Sequence, residues 1–368
     1  MSKRILILAN HDVGLYNFRK ELLERLLAEG HEVFVSCPQG DNIEKIINMG
    51  CNYIETEFNR HGMNPLNEVK LLNHYKEIMR EINPDIVFGY TIKPNIYGSL
   101  AAKKYDIPFV ANITGLGTAV ETPGFLQKVI IRMYKNAFSD IQTVFFQNKE
   151  NRQFFIDNNI AVDKHKMIPG SGVNLEHFYL QEYPSTGNSM DFVFISRIMK
   201  EKGIDQYLEA AEYITNKYPD TKFHICGFCE DAYEEILVDY QDRGIVEYHG
   251  MVSDVREILK SSHCTIHPTY YPEGLSNVLL ESAASGRPII STDRSGTRET
   301  IDHGVNGYLI EEKNTKDLIE KLEKFIRISY VEKQRMGIRG REKVENEFDR
   351  QIVIDKYINE LSIASGGE

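Results

Sequence analysis

The fold is decided by residues 272–292, Pro-Glu-Gly-Leu-Ser-Asn-Val-Leu-Leu-Glu-Ser-Ala-Ala-Ser-Gly-Arg-Pro-Ile-Ile-Ser-Thr. After an initial turn, the apolar and small residues predict a helix over 276–285. The β-branched run that follows predicts a buried strand over 288–291. A helix that leads directly into such a strand is typical of α/β proteins with parallel sheets. Two carboxylates lie in this stretch, Glu273 in the turn and Glu281 inside the helix.

The same alternation of strands and helices extends on both sides of this stretch and makes one α/β unit. In the C-terminal half it predicts strands at 191–196, 221–226, 246–249, 264–267 and 307–310, with helices at 203–216, 231–242, 253–260 and 296–302. The final segment, about 315–364, is charged and helical.

The N-terminal half repeats this organisation and predicts a second α/β unit. Its predicted strands are 4–9, 32–36, 53–56, 85–89 and 109–113, and its predicted helices are 17–29, 43–49, 66–82, 95–104 and 125–138. The polar stretch Pro184–Ser189 separates the two halves. A chain of 368 residues is also long enough for two domains.

Composition and charge exclude several classes of protein. No stretch reaches the ~20 apolar residues of a membrane span, and the first apolar run is too short for a signal peptide, so we expect a cytoplasmic protein. The net charge of −11 argues against nucleic-acid binding. That charge is uneven, because residues 1–183 carry a net −1 and residues 184–368 carry −10. The five scattered cysteines predict buried thiols and no metal site.

Four charged residues have the chemistry that a nucleotide-sugar site requires. Arg197 and Lys202 follow a predicted strand directly, and two such cations can stabilise a diphosphate. Glu273 and Glu281 supply carboxylates for sugar hydroxyls. Glu281 is flanked by Leu and Ala, where a carboxylate is costly to bury without a partner.

With these motifs the chain resembles the retaining glycosyltransferases of family 4, in particular bacterial enzymes that extend polyprenyl-diphosphate-linked glycans. The resemblance covers the whole chain and is strongest over 191–310. It implies the GT-B fold, an α/β architecture of two Rossmann-like domains that face each other across a cleft. Residues 1–184 would be the acceptor-binding domain, with 350–368 packing back on it as a C-terminal helix, and 190–349 the nucleotide-sugar-binding domain.

The resemblance also implies roles for residues of the second half. Arg197 and Lys202 would contact the donor diphosphate, and Glu273 would bind the transferred sugar; these three are the expected catalytic residues. Glu281 would hold the ribose diol. The backbone amides of Gly274 and Leu275 would face the phosphate or sugar at a helix N-terminus.

Three glycines and one valine complete the expected donor site. Gly227 and Gly250, with Val252, match loops that hold the base in the family. Gly14 lies in the loop after the first strand, where a glycine lets backbone approach the ligand. Ordinary turns would explain the same glycines.

The implied activity is transfer of an N-acetylhexosamine or hexose from a UDP-sugar to a lipid-diphosphate-linked saccharide in capsule, O-antigen or glycan assembly. No metal and no cofactor beyond the donor substrate are expected. A basic amphipathic helix at 125–138 is compatible with peripheral contact with an anionic membrane, and equally with a core helix that has a solvated face. Three alternatives stay open: a GDP-sugar-dependent transferase, a non-hydrolysing UDP-N-acetylglucosamine 2-epimerase, and a non-catalytic nucleotide-sugar sensor. No G-x-G-x-x-G follows the first strand, which disfavours a dinucleotide dehydrogenase.

Overall fold

Two units make up the chain in the computed structural model, which describes residues 2–57, 64–117, 120, 123–185 and 189–364. The first unit comprises Met1–Ser171 with Gln351–Glu368, and the second comprises Gly172–Arg350. The division therefore lies before the polar stretch at 184–189. Residues 172–183 pack with the second unit because Phe178 is buried there beside Leu280. In addition, the buried guanidinium of Arg287 donates to the Glu182 carbonyl oxygen at 2.9 Å.

A seven-stranded parallel sheet forms the first unit. Its strands are Arg4–Leu8 (β1), Glu32–Cys37 (β2), Asn52–Glu55 (β3), Ile86–Tyr90 (β4), Phe109–Ile113 (β5), Thr143–Phe146 (β6) and His165–Met167 (β7). They lie in the order β3-β2-β1-β4-β5-β6-β7. The flanking helices are Asp12–Ala28 (α1), Ile43–Asn48 (α2), Pro65–Ile82 (α3), Ile92–Lys104 (α4), Phe125–Ala137 (α5) and Lys149–Asp157 (α6).

A six-stranded parallel sheet forms the second unit. Its strands are Met190–Ile195 (β8), Thr221–Cys226 (β9), Glu247–Tyr248 (β10), Cys264–His267 (β11), Ile289–Thr292 (β12) and Gly307–Ile310 (β13). They lie in the order β10-β9-β8-β11-β12-β13, so the direction in which successive strands are added reverses between β8 and β11. The flanking helices are Ile204–Lys217 (α7), Glu234–Asp242 (α8), Val255–Ser261 (α9), Asn277–Ala284 (α10), Thr315–Arg327 (α11) and Tyr330–Glu347 (α12).

The last helix, Arg350–Ile363 (α13), packs on the first sheet and confirms the predicted return of the C-terminus to the first domain. Tyr357 at its centre is fully buried, with its ring centroid 5.0 Å from those of Phe88 and Phe145. The Asn112 side-chain amide donates to the Tyr357 hydroxyl at 2.7 Å. A buried aromatic residue with a paired hydroxyl fixes the position of the helix.

The α/β class with two parallel sheets is confirmed, and the differences are local. β6, α6 and β7 were not predicted. The predicted helix at 296–302 is a short 3₁₀ turn over Arg298–Thr300. Helix α4 begins at Ile92, before Pro94, because a proline in the first helical turn costs no hydrogen bond. The segment at 315–364 is three helices.

Helix α5 is amphipathic. Ile130 and Tyr134 are buried in the first core, whereas Phe125 and Leu126 at its start are 86% and 45% exposed. Over the ranges that the structure describes, no helix has the length and apolar character needed to cross a bilayer.

Candidate functional site

The residues predicted for the second unit collect at one edge of its sheet. Arg197 follows β8, Gly227 follows β9, Gly250 follows β10, and Glu273 lies in the segment after β11. The carboxyl ends of parallel strands meet at the same edge, and ligands bind where the strand order reverses. Since that reversal lies between β8 and β11, Arg197 and Glu273 lie on either side of it.

Arg197 and Lys202 converge on one aromatic ring. The Arg197 guanidinium carbon lies 5.2 Å from the centre of the Tyr271 ring, and the Lys202 ammonium lies 4.9 Å from it. Each cation also has a carboxylate partner: Arg197 pairs with Glu230 at 2.5 Å, and Lys202 contacts Glu273. The structure thus brings two predicted cations and one predicted carboxylate together around Tyr271.

Lys202 is the more deeply placed cation, with 6% of its surface exposed. Burial, reinforced by the charge of Arg197, lowers the pKa of its ammonium to about 7, and the charge of Glu230 opposes this change. The contact with Glu273 also favours the charged form. A bound anion would stabilise this ammonium further, because little water reaches it.

Gly203 sets the position of Lys202. The 3₁₀ turn Lys200–Lys202 ends at Gly203, whose φ of 79° is in the left-handed region. A Cβ there would overlap the carbonyl oxygen of Pro268, which directly follows β11. The backbone amide of Tyr270 also donates to the Glu201 carbonyl oxygen at 2.8 Å. The lysine is therefore carried on a turn that packs tightly against the segment after β11.

Gly227 and Gly250, the two glycines expected to lie beside the nucleotide base, have different surroundings. Gly227 has a φ of 145°, and a Cβ would overlap the carbonyl oxygen of Ser196, so close packing of two strand ends already requires it. Gly250 has a φ of 63° with open space where a Cβ would lie. Its carbonyl oxygen accepts from the Gly227 amide at 2.8 Å. Val252 packs beside the apolar cluster that contains Cys226.

Helix α10 begins beside these groups. Gly274 and Leu275, which precede it, are both buried, and the Ser276 amide donates to the Gly296 carbonyl oxygen at 2.8 Å. The Ser276 side chain forms no capping hydrogen bond with α10. The amides at a helix N-terminus are suited to contact with an anion.

Glu281 lies in the second turn of α10, and most of its surface is covered by neighbouring residues. Burial raises the pKa of its carboxyl to about 7, and the charge of Arg350 partly offsets that rise. A carboxyl group in this state binds hydroxyl groups readily, because their hydrogen bonds offset the cost of its burial.

Sequence reasoning did not identify His267 and Tyr271 as part of this site. His267 ends β11, is 1% exposed, and has its Nε2 3.4 Å from the Ser276 hydroxyl. Its Nδ1 has no hydrogen-bond partner among the described residues. Burial, with the charge of Lys202, holds its pKa well below the usual value, so the imidazole is neutral. A histidine at the end of a predicted buried strand is the sequence signal that could have indicated it.

In the first unit, Gly14 lies inside helix α1 and not in a loop, because that helix starts at Asp12, five residues before its predicted start at 17. The amide of Gly14 donates to His11 Nδ1 at 2.8 Å, and a Cβ would lie 2.6 Å from the His11 ring. A local helix cap therefore already requires this glycine. Lys93, in the first turn of α4, pairs with Glu68 at 2.7 Å.

Two family models match the chain. Residues 4–148 match the model described as glycosyl transferase 4-like, and residues 178–343 match the model described as glycosyl transferases group 1. Together they cover most of the chain.

Two curated relatives have informative names. N,N'-diacetylbacillosaminyl-diphospho-undecaprenol alpha-1,3-N-acetylgalactosaminyltransferase of Campylobacter jejuni is 27% identical, over 96% of this chain and 97% of that protein. UDP-Gal:alpha-D-GlcNAc-diphosphoundecaprenol alpha-1,3-galactosyltransferase of Escherichia coli is also 27% identical, over 68% of each chain.

Solved structures share the fold. A glycosyltransferase of Rickettsia africae superposes with a TM-score of 0.82 at 19% identity, over 100% of both chains. HepE of Anabaena, solved in complex with UDP and glucose, has a TM-score of 0.77 at 16% identity, over 97% of this chain and 98% of that one. These likenesses confirm the predicted GT-B fold class.

Proposed function

We propose that the chain, whose two halves match the glycosyl transferase 4-like and group 1 models, is a retaining, metal-independent glycosyltransferase that uses a UDP-sugar. It transfers an N-acetylhexosamine or a hexose to a saccharide carried on a lipid diphosphate. Both curated relatives described above are named for acceptors linked to undecaprenyl diphosphate. The product belongs to bacterial surface polysaccharide or glycan assembly, and a capsular polysaccharide glycosyltransferase of Staphylococcus aureus is a further relative at 26% identity.

The observation that carries this proposal is the pair of cations on Tyr271. Breaking the bond between sugar and phosphate places negative charge on the departing nucleoside diphosphate. Arg197 and the buried Lys202 supply positive charge where the strand order reverses. In a site with little water such groups stabilise the developing charge strongly, and losing one typically costs ~10²–10³ in rate.

The carboxylates have separate tasks in this proposal. Glu273 contacts Lys202 and lies beside the N-terminus of α10, so it receives the hydroxyls of the transferred sugar. Glu281 binds the ribose diol, whose two donors compensate for its burial. The amides of Gly274 and Leu275 face the phosphate or sugar.

The base of the nucleotide is assigned to the loops after β9 and β10. Gly250 offers open space and its neighbour Val252 an apolar surface, while Gly227 holds the two loops together. Uridine is favoured because one relative is named for a UDP-sugar and HepE was solved with UDP.

Metal independence is proposed from the same charges, and retention from the resemblance to the retaining glycosyltransferases of family 4. Two side-chain cations supply the positive charge that a divalent ion supplies in other transferases. In a front-face substitution, the departing phosphate oxygen takes the proton of the acceptor hydroxyl, so a separate general base is not required. The acceptor then forms its bond on the face that the nucleotide leaves.

The first unit is assigned to the acceptor and to a membrane surface. At the start of α5, the exposed Phe125 and Leu126 adjoin the exposed Lys128, with Arg132 and Lys135 further along the helix. Apolar side chains flanked by cations suit an anionic bilayer, where lipid-linked acceptors reside. We place the enzyme at the cytoplasmic face of the membrane.

The direct test is nucleotide release from a panel of UDP- and GDP-sugars, with and without a synthetic lipid-diphosphate saccharide, in EDTA. We expect UDP release that requires acceptor and an unchanged anomeric configuration by NMR. Conversion of the nucleotide sugar without acceptor would indicate an epimerase. Binding without turnover would indicate a sensor, and activity restored only by a divalent ion would contradict metal independence.

A further inference from the structure

We propose that His224, Glu247 and His249 form a binding site for a divalent transition-metal ion of the zinc class, at the edge of the second sheet. One ligand atom of each residue lies within 4.8 Å of the other two. His224 Nδ1 is 3.0 Å from His249 Nε2 and 3.5 Å from a Glu247 carboxylate oxygen. Two imidazole nitrogens and one carboxylate oxygen are a common ligand set for Zn²⁺.

The backbone explains why these three side chains meet. His224 and Glu247 are direct partners in the register of β9 and β10. The amide of His249 donates to the Ile225 carbonyl oxygen at 2.9 Å, which continues the pairing by one step beyond β10. The two imidazole rings stack with their centroids 5.2 Å apart. The cluster is thus fixed by strand pairing.

Asp191 on β8 orients the central ligand. Its carboxylate oxygen lies 3.3 Å from His224 Nε2. Because a carboxylate only accepts, His224 donates from Nε2, and its Nδ1 lone pair faces His249 and Glu247. A carboxylate behind a histidine ligand is the usual arrangement in metal sites, where it fixes the tautomer and ring orientation.

The distances fit one ion. Zinc–ligand bonds of about 2.0–2.1 Å at tetrahedral angles separate neighbouring donor atoms by about 3.3 Å. The distance from His224 Nδ1 to His249 Nε2, 3.0 Å, is slightly shorter than this value, and the distance from the same nitrogen to the Glu247 carboxylate oxygen, 3.5 Å, is slightly longer. If His249 carried its proton on Nε2, that proton would form a hydrogen bond with His224 Nδ1 only. A cation would instead bind all three ligand atoms.

The ion would stabilise the edge of the sheet. β10 is a two-residue strand at the end of the second sheet, and the ion would connect it to β9 through side chains. His224 and Glu247 are not among the residues assigned to the diphosphate, sugar or base, whereas His249 directly precedes Gly250 in the loop assigned to the base. The inference does not rest on the proposed function, because it is argued from the ligand set and the strand pairing alone.

The test uses the full chain without tag histidines, stripped with EDTA, and Zn²⁺ titrated against a chromogenic chelator. We expect one equivalent of Zn²⁺ and a rise in melting temperature, since an ion that binds only the folded state stabilises it. His249→Gln and Glu247→Gln should each weaken binding at least about tenfold, and Asp191→Asn by about 10–100-fold. His177→Gln, which changes an exposed histidine of the same unit, should bind like the wild type.

Both changed ligands are exposed, so their variants should fold, which the metal-free melting temperature checks. The inference is overturned if the wild type binds no stoichiometric Zn²⁺. It is equally overturned if a His224→Gln/His249→Gln double variant keeps wild-type affinity, because zinc would then bind elsewhere.

Discussion

The buried ammonium of Lys202 contacts the carboxylate of Glu273 and thereby joins the segment after β8 to the segment after β11. These two strands are neighbours at the point where the strand order of the second sheet reverses. The pair therefore connects the group assigned to the diphosphate with the group assigned to the sugar, on either side of the bond to be broken.

Removing either cation should reduce turnover while leaving the fold intact. We expect Lys202→Ala and Arg197→Ala each to lower kcat/KM by about 10²-fold or more, because the departing diphosphate loses a stabilising charge. Lys200→Ala, which removes an exposed neighbouring lysine, is the matched control and should retain wild-type kinetics. Near-normal kcat/KM in both cation variants, with unchanged melting temperatures, would contradict the diphosphate assignment.

Glu281 should make the free energy of unfolding fall as the pH rises. Burial raises the pKa of this carboxyl from its ordinary 4.5 to about 7 in the folded chain. As pH rises from 4.5 to 7, the unfolded chain releases the proton first, so this group progressively favours unfolding. Glu281→Gln should therefore raise the free energy of unfolding at pH 8, by on the order of 1–3 kcal/mol, and leave it unchanged near pH 4.5.

Urea denaturation at the two pH values measures this effect, with the exposed Glu235→Gln as control. A Glu281→Gln variant that is less stable than the wild type at pH 8 would show that the carboxylate is already compensated within the protein. The same variant should bind UDP more weakly, since the ribose diol exchanges a charged acceptor with two oxygens for a neutral amide with one.

Gly203→Ala should destabilise the chain more than Gly244→Ala. Both glycines have left-handed φ values, 79° and 69°, but a Cβ at Gly203 overlaps Pro268 whereas a Cβ at Gly244 meets no atom within 4 Å. Gly244→Ala isolates the backbone cost, about 1–2 kcal/mol. Gly203→Ala should cost at least about 1 kcal/mol more through steric overlap. Equal unfolding free energies in urea would show that the turn carrying Lys202 can move away from β11.

The exposed start of α5 should contribute to membrane binding. A Phe125→Asp/Leu126→Asp variant should bind vesicles of phosphatidylglycerol and phosphatidylcholine at least about tenfold more weakly, because burying each side chain contributes roughly 1.5–3 kcal/mol. Val331→Asp, at an exposed apolar position of the second unit, is the control. Undiminished sedimentation of the double variant with vesicles would place the membrane contact elsewhere.

The sequence predicted the class of fold and most strands because buried parallel strands are short apolar runs between helices. β7 was missed because its three residues, His165–Met167, contain two polar side chains and no apolar run. The 3₁₀ turn over Arg298–Thr300 was mistaken for a helix because its length depends on hydrogen bonds from Thr297 and Thr300, which local composition does not reveal.

The candidate site was predictable where charge stands next to a strand end, as at Arg197 and Lys202. Tyr271 and His267 were missed because their place in the site depends on which strands are neighbours. The sequence also could not separate glycines required by packing, such as Gly227 against Ser196, from glycines that leave open space, such as Gly250.

The most direct test is a crystal structure of the chain with UDP. We predict diphosphate oxygens within about 3 Å of the Lys202 ammonium and the Arg197 guanidinium, with the ribose hydroxyls on Glu281. UDP bound at another place, with Arg197 and Lys202 still paired only with Glu230 and Glu273, would contradict the assignment.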